Sequence, residues 1–215
     1  MSADGARVLL VGATGLVGGH VLDRLLADSR IVHVIAPVRR PLPRRDARLQ
    51  APVVDFDALP DDAALWSVDA VICTLGTTMR VAGSREAFRR VDHDYPLATA
   101  ALARRYGAQA FALTSAMGAD AQSRFFYNRV KGELEIALQA QGWPSLTLVR
   151  PGLIGGDPSE ARPAERAAAV MLGALGPVLP KRWRISPASR IAAALVEHAL
   201  AAAPGCRIVD AAALA

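Results

Sequence analysis

Lysine is almost missing from this 215-residue chain: of 25 lysines and arginines only Lys131 and Lys181 are lysines. The positive charge therefore rests on guanidinium groups, which stay protonated and pair with planar anions. Cysteine is equally scarce. Cys73 and Cys206 stand alone and far apart, which excludes a disulfide framework or a paired-cysteine metal site and makes a reducing compartment the expectation. His20, His33, His93 and His198 have no ligand spacing, so no metal centre is expected. Aromatic residues make up 5% of the chain and do not interleave with the arginine pairs at 39–40, 44–45, 89–90 and 104–105. With a net charge of +5, this pattern speaks for a solvated basic surface and an anionic small molecule and against nucleic acid.

Long apolar runs are missing too. The longest uncharged one, residues 167–180, carries Gly173, Gly176 and Pro177 and falls short of the roughly 18 residues of a membrane span, so no membrane partner is expected. The first seven residues lack a basic stretch followed by an apolar core. No signal peptide is expected, and a cytoplasmic location follows.

What is present begins with R-V-L-L-V-G-A-T-G-L-V-G-G at residues 7–19. Residues 8–11 form a short apolar run of strand type, and Gly12, Gly15 and Gly18 follow where the strand must stop. A side chain at Gly12 would block the tight turn, and one at Gly15 would hold a pyrophosphate off the backbone. Gly18 lets the following helix lie close to the strand. The spacing is G-x-x-G-x-x-G, a variant of the common dinucleotide fingerprint.

An apolar content of 52% is ample for a core. Further strands are expected at residues 31–38, 51–54, 68–75, 109–114 and 146–149, with a short last one at 207–209. Between them lie helical stretches at 84–105, interrupted around 92–96, and at 124–141. Two more helices are expected near 164–175 and 188–203. This alternation predicts an α/β fold, a doubly wound parallel sheet of Rossmann type in one domain over 1–215. Residues 153–205 are expected to form a small helical region over the substrate cleft.

Strand ends carry the chemistry in such sheets. The fifth strand ends in Thr114-Ser115, and the next helix carries Tyr127 and Lys131, four apart and so on one face. An ammonium there would stabilise a phenolate and lower the tyrosine pKa, while Ser115 could hydrogen-bond the same substrate oxygen. A surface pair is the bland alternative. With so few lysines, a lysine four after a tyrosine arises by chance only about three times in a hundred. Cofactor choice rests on the end of the second strand. There Arg39 and Arg40 stand where a carboxylate would bind a ribose hydroxyl, so NADP(H) is preferred over NAD(H), with Arg39 meeting the 2′-phosphate.

The chain resembles the atypical short-chain dehydrogenases/reductases, in their Tat-interacting-protein-like, NAD(P)H-binding branch. The resemblance runs through V-G-A-T-G-L-V-G at 11–18, V-V-D-F at 53–56, C-T-L-G-T-T at 73–78 and F-R-R-V-D-H-D-Y at 88–95. It continues in S-A-M-G-A-D at 115–120, Y-N-R-V-K at 127–131 and R-P-G at 150–152. It implies Tyr127 as general acid/base, Lys131 as its modulator and a ribose ligand, and Ser115 as carbonyl polariser. The resemblance also implies nucleotide contacts at Gly12, Thr14, Gly15, Leu16, Val17 and Gly18. Asp55 and Phe56 would flank the adenine, Leu75, Gly76 and Thr77 would follow the nucleotide backbone, and Pro151, Gly152 and Leu153 would lie near the nicotinamide.

Two positions depart from the relatives' pattern. Ser115 is followed by Ala116 where a second serine is common, which leaves Thr114 as the alternative polariser. Asp92 stands where many relatives have asparagine.

The expected function is NADPH-dependent oxidation or reduction of a small carbonyl or alcohol. A non-catalytic NADPH-binding regulatory or interaction module and a nucleotide-sugar epimerase or dehydratase are the alternatives. The substrate has no signature in the sequence. Neither has the oligomeric state, for which a homodimer is one arrangement. The basic segment 181–184 around Trp183 reads either as a partner patch or lid, or as an exposed loop anchored by its tryptophan.

Overall fold

The computed structural model describes residues 5–155 and 184–215. The first strand, β1 (Ala6–Val11), is almost wholly apolar and buried, as a central parallel strand covered on both faces must be. With it run β2 (Ile31–Ile35), β3 (Leu49–Gln50), β4 (Ala70–Cys73), β5 (Ala110–Thr114) and β6 (Ser145–Arg150). A separate two-stranded ladder, β7 (Ile154–Gly155) with β8 (Ser186–Pro187), precedes the last strand, β9 (Gly205–Asp210). The large sheet has the order β3-β2-β1-β4-β5-β6-β9, with every ladder parallel.

The two-residue period of the strands divides the core in two. Val8, Leu10, Ile72, Ala110 and Ala112 face one side, where small residues let α1 (Leu16–Ala27) and α7 (Ala188–Ala201) lie against the sheet. Leu9, Val71, Phe111 and Leu146 face the other. That side is covered by α2 (Ala63–Trp66), α5 (Tyr95–Arg105) and α6 (Phe126–Ala140). Two short helices, α3 (Met79–Ala82) and α4 (Arg85–Arg89), lead from β4 towards α5. The doubly wound parallel architecture is as expected. The strand order reverses between β1 and β4, so the crevice at their carboxyl ends is the natural ligand site.

Two local expectations need correction. The third strand is Leu49–Gln50, and residues 51–54 join the sheet only by a bridge from Val53 to Val38, because Pro52 has no N–H to donate. The helix expected to break near 92–96 continues through a π turn, Arg90–Asp94, into α5. The widened turn accommodates the ring and missing N–H of Pro96 without a break. Within 153–205, α7 packs beside α1 on the sheet. The helix expected at 164–175 and Trp183 lie outside the described residues.

Candidate active site

The turn after β1 is built by backbone crowding. Gly12 has φ +93°, and a Cβ added there would lie 2.6 Å from Thr74 Oγ1 and 2.8 Å from the Thr74 carbonyl carbon. Thr74 Oγ1 itself donates towards the Val11 and Gly12 carbonyls, at 3.0 and 3.2 Å. A Cβ on Gly18 would stand 2.0 Å from the Gly12 carbonyl oxygen, so α1 crosses the turn too closely for any side chain. Gly15 differs. Its backbone is extended, and a Cβ there would meet nothing nearer than Gly12 O at 3.4 Å.

The protein's own packing therefore does not require glycine at 15; a side chain there would fill the open cleft that Gly15 lines. Helix α1 starts at Gly15 with no side-chain cap and no acid in its first turn. Its first N–H groups and the positive end of its dipole are thus free for an anion. This cradle fits the pyrophosphate of a dinucleotide.

The cleft encloses about 460 Å³. Gly12, Thr14 and Gly15 line it from the β1 turn, and Leu75, Gly76 and Thr77 from the segment after β4. Arg39 and Phe56 line it from the region beyond β2 and β3. Arg39 is exposed and makes no hydrogen bond or ion pair among the described residues. Phe56 packs on Tyr95 with ring centroids 5.5 Å apart, and the Tyr95 hydroxyl donates to Asp57 Oδ1 at 2.8 Å.

Other expected contacts fall outside this lining. Arg40 and Asp55 are exposed beyond it. Leu16 is exposed, and Val17 is part of the core, so Val17 would meet a nucleotide through its backbone alone. Pro151, Gly152 and Leu153 follow β6, tied down by Met117 N–H to Pro151 O at 2.8 Å and by Gly152 N–H to Ser186 Oγ at 3.1 Å.

Tyr127 and Lys131 lie one turn apart on α6. Lys131 is buried with its Nζ 2.8 Å from Asp92 Oδ1, and Asp92 accepts the Thr77 N–H at 2.8 Å through Oδ2. A chain of contacts thus joins the cleft wall at Thr77 to the helix that carries Tyr127. The tyrosine ring packs edge-on against Phe88, with centroids 5.8 Å apart, while the residue as a whole is 42% exposed.

The expected lowering of the Tyr127 pKa is corrected. Burial holds the phenol above its ordinary value, the Lys131 charge opposes this, and the Asp92 charge adds to it. Burial outweighs the pull of the ammonium, and the carboxylate paired with that ammonium adds a smaller effect in the same direction as burial. Burial also pulls Lys131 down, but Asp92 and then Tyr127 outweigh it, and the lysine is held above its usual value.

Ser115 is turned elsewhere. Its Oγ donates to Glu135 Oε1, which also accepts from Arg150 Nε at 3.0 Å, while Arg150 Nη2 donates to Glu135 Oε2. Glu135 is buried, and it holds the Arg150 guanidinium above its ordinary pKa against the opposing effect of burial. Thr114 pairs in register with Val149 on the α7 side of the sheet, and its buried Oγ1 has no hydrogen-bond partner among the described residues. Both hydroxyls are buried. Glu135 was within reach of sequence reasoning, since it continues the four-residue spacing from Tyr127 and Lys131. The link from Asp92 to Lys131 and Thr77 has no local period and could not be read.

The profile of the NAD(P)H-binding family matches residues 12–168. The chain is 37% identical over 182 residues to the protein fmp52, mitochondrial, of Emericella nidulans, covering 80% of this chain and 77% of that one. It is 37% identical over 180 residues to the protein HTATIP2 of Rattus norvegicus, covering 82% and 72%. Among solved structures it is similar to MoeE5 in complex with UDP-glucose and NAD. That match has a TM-score of 0.72 and 17% identity, and covers 94% of this chain and 74% of the other, a likeness of fold. Fungal relatives named as mitochondrial proteins overturn the cytoplasmic location expected from the sequence.

Proposed function

The chain belongs to the NAD(P)H-binding family, in the HTATIP2-like branch of the atypical short-chain dehydrogenases/reductases, and on that premise we propose that it reduces a small-molecule carbonyl with NADPH. The observation that carries the reading is the chain of contacts Thr77–Asp92–Lys131, which ties the wall of the nucleotide cleft to the helix turn below Tyr127. Gly12, Thr14 and Gly15 would hold the pyrophosphate with the start of α1, and Arg39, free at the far end of the cleft, would hold the 2′-phosphate. When bound, the reduced dinucleotide supplies hydride to a carbonyl carbon. Tyr127 gives its phenolic proton to the carbonyl oxygen and regains one from water at its exposed side. Ser115 is not asked to polarise that oxygen, because its hydroxyl is committed to Glu135. The mitochondrial names of the fungal relatives support a mitochondrial setting.

Calorimetry and turnover on the same protein test the reading. Tyr127→Phe should leave the NADPH Kd within about twofold and lower turnover across a carbonyl panel by ~100-fold or more. In the same titrations the preference for NADPH over NADH should collapse in Arg39→Ala, with a loss of ~10-fold or more for NADPH alone. Unchanged turnover in Tyr127→Phe would sink the catalytic assignment.

A second reading draws on Ser115 and Ala116: with no hydroxyl presented at the end of β5, the protein would bind NADPH as a regulatory module without turning it over. Tight NADPH binding with no oxidation of the nucleotide by any carbonyl of the panel would favour it.

A further inference from the structure

Asp92 links the cleft wall to Lys131, but the proposed chemistry has so far given its charge no role. It stands in the π turn Arg90–Asp94 at 1% exposure, with both carboxylate oxygens engaged: Oδ1 at 2.8 Å from Lys131 Nζ, and Oδ2 accepting from Thr77 N–H at 2.8 Å. An amide of the same shape could accept the Thr77 bond as well. Burying a carboxylate with an ammonium costs both groups their hydration, which stability alone repays poorly. What the carboxylate does and an amide cannot is cancel the charge of Lys131.

We propose that Asp92 is a positioning residue that fixes Lys131 against the cleft wall at Thr77 and, by opposing the ammonium charge, adds to the burial that keeps Tyr127 a phenol, so that the site gives a proton to a carbonyl oxygen rather than taking one from an alcohol. The chemical meaning of this assignment rests on the reductase reading; the protonation state of Tyr127 does not. Among the described residues, the groups acting on Tyr127 are Lys131 from its own helix and Asp92 from the π turn. Those acting on Lys131 are Asp92, Tyr127 and Cys73 of β4. Cys73 is a neutral thiol, since burial pushes it up to about 11. Burial is the largest influence that keeps Tyr127 protonated, and Asp92, the one carboxylate in the set, acts in the same direction.

The balance of the step is simple. In reduction two electrons arrive as hydride at the carbonyl carbon, the Tyr127 O–H bond breaks, and a new O–H bond forms on the alcohol. The tyrosinate left behind is reprotonated by water. The reverse reaction needs that tyrosinate at the start, and an uncancelled ammonium would favour it.

The test reads the phenol directly. The full-length protein is labelled with ¹³C at tyrosine Cζ and titrated by NMR, with Tyr127→Phe identifying the Tyr127 resonance among the three tyrosines. In the wild type the Tyr127 signal is expected to titrate above the ordinary tyrosine value of 10.0, and in Asp92→Asn its midpoint should fall. A tyrosinate signal near neutral pH in the wild type overturns the proposal, whether or not the variant folds. So does an Asp92→Asn midpoint that is unchanged or raised. NADPH turnover on the same samples keeps the two readings apart: the shift without any turnover supports the assignment of Asp92 and counts against the reductase reading.

Discussion

Two glycines three residues apart answer to different masters. At Gly18 the demand is internal, because an added Cβ would stand 2.0 Å from a backbone oxygen that cannot move without reopening the β1 turn. Gly18→Ala should therefore cost stability, about 1–3 kcal/mol in urea denaturation, as forced overpacking does. At Gly15 the backbone is ordinary and the nearest atom to an added Cβ is 3.4 Å away. Gly15→Ala should change stability by no more than about 1 kcal/mol yet weaken NADPH binding ~10-fold or more, because the methyl group would occupy the phosphate seat. Equal effects of the two substitutions on stability would show that the cleft is not what selects glycine at 15.

At the scale of the element, α6 is the organising piece. Leu134 and Leu138 bury one stripe against β5 and β6, while Tyr127, Lys131 and Glu135 recur every fourth residue. The lower end of that row is a buried network in which Glu135 gathers Ser115 and Arg150. Arg150→Met would strand the Glu135 carboxylate in the core and should cost about 3–5 kcal/mol. Ser115→Ala removes one hydrogen bond from an acid that keeps its arginine, and about 1–2 kcal/mol is expected. If Ser115 does not polarise the substrate, kcat in Ser115→Ala should stay within about threefold of the wild type; a loss of ~100-fold would restore the polarising role to it.

The same element shows what the chain's sequence discloses. Its helix, its apolar stripe and the Tyr127–Lys131 pair are local periodicities and could be read directly, as could the glycine turn and the alternation that makes the sheet parallel. The partners of these residues come from elsewhere in the chain. Asp92 reaches Lys131 from the π turn, and Ser115 is claimed by Glu135; each contact depends on how the layers stack. The third strand was displaced for a similar reason: β propensity marked residues 51–54, while the missing N–H of Pro52 decided the hydrogen bonding.

For the whole molecule, the side of the sheet that bears α6 contains an acid able to report on folding. Cys73, at the end of β4, is wholly buried and its thiol is pushed up to about 11 by burial, with smaller opposing effects from the Leu75 N–H and Lys131, and a small further rise from Asp92. Once unfolded it should return to its ordinary value of 9.0. The sign follows from proton counts. Between these two values the unfolded chain loses the Cys73 proton while the folded protein keeps it, so the folded state binds more protons and stability falls as pH rises. The contribution is fully present below pH 9 and lost by about pH 11, at most about 2–3 kcal/mol in all.

Urea unfolding at pH 8 and pH 11 should therefore show a larger loss in the wild type than in Cys73→Ala, and the difference between the two slopes isolates this thiol from Tyr127 and Lys131. Alkylation gives a second readout: at pH 8 the folded protein should react at exposed Cys206 alone, with Cys73 protected until the sheet opens. Equal slopes, or prompt labelling of Cys73 in the folded protein, would mean that this side of the sheet is wet at the point where the site depends on its being dry.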